Sequence, residues 1–244
     1  MRAIILAGGR GTRLRPFTAS FPKPLVPLGH TPVVEVLINN LLRHGICDVT
    51  LTLGHLAELV KAYFYHRQQL LTQLKISYVI EPEPTGTAGS LALVKGLDET
   101  FLVMNGDLLT DLNFQDLIAY HRANDAALTI ATQRRTVKID FGVLDCDSSG
   151  RITDYFEKPE HSYHVSMGVY VYEPSVLRYI VPGEYLDFPD LVLRLLADGQ
   201  RVCGFFTDCL WLDVGRPDDY ARAQEIFEEY RERFELAAKP DSSL

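Results

Sequence analysis

Acid is missing from the opening of this chain. The 244 residues carry a net charge of −8, yet no aspartate or glutamate precedes Glu35. Arg2, Arg10, Arg13, Arg15 and Lys23 all lie before it. The basic opening therefore reads as a local anion site on a surface that otherwise repels anions, and the acidic total argues against nucleic acid as a partner. Cysteine is scarce too: Cys47, Cys146, Cys203 and Cys209 show no C-x-x-C spacing, which excludes a zinc ribbon and a disulfide framework. Cys203 and Cys209 are expected as reduced core thiols on adjacent strands. No apolar run approaches the roughly 18 residues that span a bilayer. The apolar part of "MRAIILAGG" is too short for a signal peptide, so no membrane role and a cytoplasmic location are expected. Repeats and long linkers are also lacking, so one domain over residues 1–244 is expected. An apolar content of 47% against 23% charged residues argues against disorder.

What is present alternates. "AIIL", "DVTLTL", "KISYVI" and "FLVMN" read as strands, separated by helical patterns over "PVVEVLINNLLRHGI", "LAELVKAYFYHRQQLLTQL" and "AGSLALVKGL". Gly45 supplies the stop of the first helix. Strands alternating with helices predict an α/β fold with a doubly wound, mainly parallel sheet. After residue 107 the rhythm changes: "ALTIATQ", "FGVLD", "RITDYFE" and "HVSMGVYVY" follow one another closely and predict an antiparallel or mixed extension. Helices are expected near 174–181 and 187–197, short strands at "VCGFF" and "LWLDV", and a closing helix over 217–237. The cluster "LVKAYFY" suits either core or a self-association surface, which leaves a homo-oligomer open.

The stretch "LAGGRGTRLRPFTASFPKPLVPLG" directly follows the first strand. A dinucleotide fingerprint would need a third glycine where Leu14 stands and an acid where Leu53 and Gly54 end the second strand. A P-loop would need its lysine before serine or threonine, but Lys23 lies between Pro22 and Pro24. Without a Cβ at Gly8, Gly9 and Gly11, the main chain can approach a base and its phosphates, and exposed N–H groups there form an anion-binding concavity. Arg13 can fork onto phosphate oxygens. The two prolines are expected to hold the backbone at Lys23 extended and aim its ammonium.

"LAGGRGTRLRPFT…PKPLVPL", with "EPEPTGTAGS", "LVMNGD", "FGVLD", "FEKP", "SMGVYVY" and "WLDVGRPDDY" in that order, resembles the sugar-1-phosphate nucleotidylyltransferases over about residues 1–225. The branch it resembles most is the mannose-1-phosphate or heptose-1-phosphate guanylyltransferases. The resemblance implies a Rossmann-like, glycosyltransferase-A-like mixed sheet, with residues 1–110 as the nucleotide-binding half and 111–220 as the sugar-phosphate-binding half. It implies attack of a sugar 1-phosphate on the α-phosphorus of an NTP, with pyrophosphate leaving. A non-catalytic nucleotide-sugar-binding paralogue is the remote alternative, and the presence of Arg13, Lys23, Asp107 and Asp213 together speaks against it.

By the same resemblance, Arg13, Lys23 and Asp107 are catalytic, and Asp107 and Asp213, each just past a short apolar strand, hold Mg²⁺. Leu6, Ala7, Gly8, Gly9, Gly11, Thr12, Gly86 and Thr87 line the nucleotide, and Glu81 meets the base edge. A carboxylate only accepts hydrogen bonds, so it suits N1–H and N2 of guanine or N3–H of uracil or thymine. GTP is favoured, with UTP or dTTP as the alternative. Gly142, Glu157, Lys158, Ser166 and Gly168 are implied for the sugar phosphate. Serine at 166 departs from the asparagine of many relatives, which leaves the sugar unassigned. Asp111 reads as loop or cap chemistry. His66 and His121 read as surface or interface residues, and no histidine forms a triad-like spacing with a serine.

Overall fold

The chain opens on a strand with both faces covered: Ala3, Ile4 and Ile5 of β1 (Arg2–Ala7) are fully buried. A computed structural model describes residues 1–9 and 11–234. After the glycine loop, a short antiparallel pair, β2 (Pro27–Leu28) and β3 (Thr31–Pro32), leads into α1 (Val33–Arg43). Apolar residues at Val34, Leu37, Ile38 and Leu41 put one face of α1 against the sheet. Gly45, at φ +73°, ends the helix: its N–H bonds Leu42 O and that of Ile46 bonds Leu41 O. These are the two bonds of a glycine-terminated helix end.

The next elements are β4 (Asp48–Leu53), α2 (Ala57–Tyr65), α3 (Gln68–Leu71), β5 (Lys75–Ile80), α4 (Gly86–Gly89), β6 (Phe101–Asn105), β7 (Leu108–Thr110) and α5 (Phe114–Ala123). They are followed by β8 (Leu128–Lys138), β9 (Val143–Cys146), β10 (Ile152–Phe156), β11 (Glu160–Tyr172), α6 (Phe188–Ala197), β12 (Val202–Phe206), β13 (Trp211–Asp213), α7 (Pro217–Glu229) and α8 (Arg231–Phe234). One seven-stranded sheet runs β12-β8-β11-β6-β1-β4-β5. β6, β1, β4 and β5 are mutually parallel, whereas β11 lies antiparallel to both β6 and β8. The expected α/β sheet with an antiparallel extension is therefore present. Alternate residues of β1 feed two cores: Ala3, Ile5 and Ala7 pack with α1, α2 and α5, while Ile4 packs with Leu91 and the α6 residues Leu191 and Leu195. A third core joins Leu28, Leu109 and Leu212 to Ala223, Phe227 and Phe234, which fastens the closing helices beside β13.

Several local expectations are corrected. The single helix over 56–74 is two, because the chain leaves helical geometry at Arg67 (φ −96°, ψ 55°). The Arg67 guanidinium there reaches the buried Glu35 carboxylate, Nε donating to Oε2 at 3.0 Å, and Tyr63 OH donates to the same group. A buried carboxylate needs such partners, and supplying them overrides helix continuity. The expected helix over 88–97 is one α turn followed by a 3₁₀ turn (Ser90–Leu93), and the one near 174–181 is 3₁₀ (Pro174–Tyr179). The closing helix breaks between Glu229 and Arg231, and 235–237 lie outside the described residues. Cys203 is on β12 but Cys209 lies in the connection to β13, so the two are not on adjacent strands; both are free thiols. Asp111 does act as a loop staple, accepting from Leu210 N at 2.8 Å and pairing with Arg233 at 3.0 Å.

His121 is not at the surface; it is 1% exposed. Its Nε2 lies 3.0 Å from Glu173 Oε1 and its Nδ1 2.8 Å from Thr129 Oγ1. Because a carboxylate only accepts, Nε2–H donates and Nδ1 accepts from the hydroxyl. Burial lowers the His121 pKa below its ordinary 6.5, with Glu173 partly opposing. The unfolded chain then binds the extra proton first, so the unfolding free energy should fall as pH drops below about 6.5. Denaturant titrations between pH 7 and 5 check this: His121→Gln should flatten the slope, and an unchanged slope would refute the assignment.

Candidate active site

The strand order reverses between β1 and β6, and the crevice outside their carboxyl ends is where open α/β sheets bind ligands. A cleft of about 680 Å³ opens there. It is lined by Leu6, Ala7, Gly8, Gly9, Gly11, Thr12, Arg13 and Lys23 from the first loop, by Glu81, Gly86 and Thr87, and by Asp107. Every nucleotide-side residue expected from sequence is in that lining. Close approach explains the first glycine: a Cβ on Gly8 would lie 2.5 Å from Glu81 Oε1. Gly11 adopts φ +60° and opens a 3₁₀ turn (Thr12–Leu14) anchored by buried Leu14, the residue that breaks the dinucleotide fingerprint.

The backbone at Lys23 differs from the extended form expected. Pro22 is extended, but Lys23 starts a 3₁₀ turn (Lys23–Leu25) closed by Leu25 N to Pro22 O at 2.9 Å. The ammonium is fixed nonetheless, paired with Asp107 Oδ2. Asp107 follows β6, and its carbonyl accepts from Val214 N at 2.8 Å, which ties it to the end of β13. The antiparallel pairing of β13 with β7 sets Asp213 opposite Leu108. Burial, then the negative charge of Asp107, pushes the Asp213 carboxyl up, while Lys23 and Arg13 pull it down. Its Oδ1 is buried and hydrogen-bonds nothing among the described residues. Arg13, Lys23, Asp107 and Asp213 thus converge on one place.

Glu81 is half-buried and accepts from Thr85 Oγ1 at 3.1 Å. Gly86, at φ +83°, lies so close to Leu186 O that a Cβ could not fit. Thr87 donates from N (3.0 Å) and Oγ1 (3.2 Å) to Asp187 Oδ1. The Thr87 N–H is the main reason the Asp187 carboxyl is held below the usual carboxylate range. Asp187 and Tyr185 also line the cleft, and sequence reasoning missed both. The nearest signal was Asp187 standing before the helical run "FPDLV". His55, Ser90 and Asn105 are further lining residues; the last two fall within "EPEPTGTAGS" and "LVMNGD", but the sequence assigned them no role.

A second hollow of about 310 Å³ adjoins the first and shares Thr87 and Asn105 with it. Ser166, Gly168 and Asp213 line it, with Trp211 and Phe188 among its apolar walls. The β11 register is irregular between Ser166 and Tyr170, and Gly168 sits in that irregularity at φ +72°. Gly142, Glu157 and Lys158 line neither hollow. They are exposed and flank the two-stranded ribbon of β9 and β10, where Tyr155 OH donates to Glu157 Oε2 at 2.7 Å and Lys158 lies 4.0 Å from Glu157.

Among the described residues no helix is long and apolar enough to cross a membrane. The family model for nucleotidyl transferases matches residues 2–229. A UTP–glucose-1-phosphate uridylyltransferase of Synechocystis is 33% identical, over 91% of this chain and 62% of its own length. A mannose-1-phosphate guanylyltransferase of Mycobacterium tuberculosis is 34% identical, over 90% of this chain and 62% of its own. The chain therefore spans somewhat less than two thirds of these relatives. The crystal structure of HddC from Yersinia pseudotuberculosis complexed with GMP-PN superposes with a TM-score of 0.69 at 25% identity, covering 93% of this chain and 99% of that one. With the fold, the glycine loop and the strand-end carboxylates all in place, this chain belongs to the nucleotidyl transferase family.

Proposed function

We propose that the chain transfers the nucleotidyl group of an NTP to a sugar 1-phosphate and releases pyrophosphate, with GTP and mannose- or heptose-1-phosphate as the preferred pair. The observation that carries this reading is the convergence of Arg13, Lys23, Asp107 and Asp213 where the two hollows meet. A sugar phosphate oxygen forms a bond to the α-phosphorus as the bond to the β-phosphate oxygen breaks, and pyrophosphate carries away the electron pair. Both reactants are anions, so the barrier is largely electrostatic. Lys23, fixed by its ion pair, and Arg13 face the phosphates from the glycine-loop side.

Mg²⁺ fits the residues present. Asp213 offers a buried, unpartnered oxygen, and Asp107 stands close enough to raise its pKa. A hard ion can be held by two carboxylates, its remaining positions filled by waters and substrate oxygens. When bound, the ion would supply charge neutralisation at the phosphates.

Glu81 selects the base, because an acceptor-only edge matches N1–H and N2 of guanine in a bidentate manner. The Mycobacterium tuberculosis relative and the HddC complex support guanine; the Synechocystis relative keeps UTP, or dTTP, as a second reading. Ser166 and Gly168 line the sugar hollow directly. Gly142, Glu157 and Lys158 contribute only if the ribbon folds over it. A homo-oligomer is compatible with exposed Leu59 and Tyr65 on α2.

An NTP panel assayed for pyrophosphate release with each sugar phosphate should show GTP fastest, and turnover confined to UTP or dTTP would reject the guanine reading. Asp107→Asn and Asp213→Asn should each lower kcat by roughly 100-fold or more with the thermal midpoint nearly unchanged. Full activity in either variant would remove that carboxylate from the site.

A further inference from the structure

Most of the hydrogen-bonding capacity of the second hollow is spent, the chief remainder besides Asn105 being the hydrogen of the buried Tyr170 hydroxyl. Thr87 Oγ1 donates to Asp187 and accepts from Phe188 N at 2.8 Å. Ser166 Oγ donates to Tyr170 OH at 3.4 Å and accepts from Gly168 N at 3.3 Å. Trp211 Nε1 donates to Met167 O at 2.8 Å. Asp213 retains a free oxygen, but a carboxylate can only accept. Asn105 is different. It lines both hollows, and its carboxamide hydrogen-bonds no other described residue.

The backbone keeps this amide in place. Asn105 ends β6 in parallel register with Leu6, two residues before Asp107, so it stands at the seam between the hollows. Across the seam a Cβ on Gly168 would lie 2.6 Å from Asn105 Nδ2 and 3.1 Å from Cγ. A side chain at 168 would therefore displace the carboxamide, and the positive φ of Gly168 disfavours one as well. A half-buried amide with two donors and an acceptor, left unused in a polar cleft, is held there for a ligand that offers both kinds of partner. Sugar hydroxyls do.

We infer that Asn105 is a positioning residue for the acceptor: its amide donates to, and its carbonyl oxygen accepts from, hydroxyl groups of the sugar 1-phosphate, turning the phosphate toward Lys23 and Asp107. Gly168 is bare so that this amide can stay. The inference rests on the nucleotidylyltransferase reading and adds to it the group that orients the sugar.

Asn105→Leu keeps the branched outline of the side chain and removes every hydrogen bond it could make, so it tests the inference directly. The KM for the sugar 1-phosphate should rise about tenfold. The KM for the NTP, and NTP affinity measured by titration of the resting protein, should stay within about twofold. Gly168→Ala should give the same split by crowding the amide. A set of sugar 1-phosphates lacking one hydroxyl at a time supplies a readout that a merely structural role would not move. The wild type should lose about tenfold on the hydroxyl that Asn105 reads, and Asn105→Leu should be indifferent to that deletion. A wild-type sugar KM in Asn105→Leu, or equal penalties for every deoxy sugar in both proteins, overturns the inference while leaving the activity standing. Parallel loss of NTP affinity and sugar affinity also overturns it, because the residue would then only support the cleft. If the wild type turns over no sugar 1-phosphate, the activity and the inference fall together.

Discussion

Two carboxylates held close together at the end of a sheet repel one another, and the site depends on how that repulsion is met. Asp107 is answered by Lys23, whereas Asp213 keeps a buried oxygen with no protein partner and a raised pKa. On the proposed reading, that unpartnered oxygen is where a further cation would bind, next to the lysine and arginine that would face phosphate. That combination suits two anionic substrates that must meet, and it has little use in a structural turn.

The architecture serves this place from three directions. β1 ends and hands the chain to a loop whose missing side chains let Glu81 stand against Gly8. β6 ends in Asn105, with Asp107 two residues beyond, and β13, fastened by the third apolar core, brings Asp213 alongside through its pairing with β7. Each charged group therefore sits on, or one or two residues beyond, a packed element, which keeps its position with little loss of side-chain entropy when ligands arrive. Only the ribbon flanked by Gly142, Glu157 and Lys158 lacks such support. That ribbon is a separate two-stranded sheet whose residues are almost all exposed.

What could be read in the sequence was what local chemistry determines. The strand–glycine-loop–helix opening, the stop at Gly45 and the strand-end positions of Asp107 and Asp213 follow from apolar runs and glycines a few residues apart. What escaped reading depends on partners far away in the chain. The helix break at Arg67 exists because Glu35 is buried more than thirty residues earlier. His121 lies inside because Glu173 and Thr129 receive it. Asp187 and Tyr185 join the cleft only because Leu186 exchanges backbone hydrogen bonds with Thr85, Ala88 and Gly89 about a hundred residues away. The backbone at Lys23 turns instead of running straight, and its ammonium is held by an ion pair with Asp107, a partner far away in the chain.

The most direct test is a crystal structure with a non-hydrolysable nucleoside triphosphate, a sugar 1-phosphate and Mg²⁺ bound together. The account predicts the α-phosphate within about 3 Å of the Lys23 or Arg13 nitrogens, with the metal ion shared by the Asp107 and Asp213 carboxylates. A triphosphate seated elsewhere, with both carboxylates bare of metal, would contradict it.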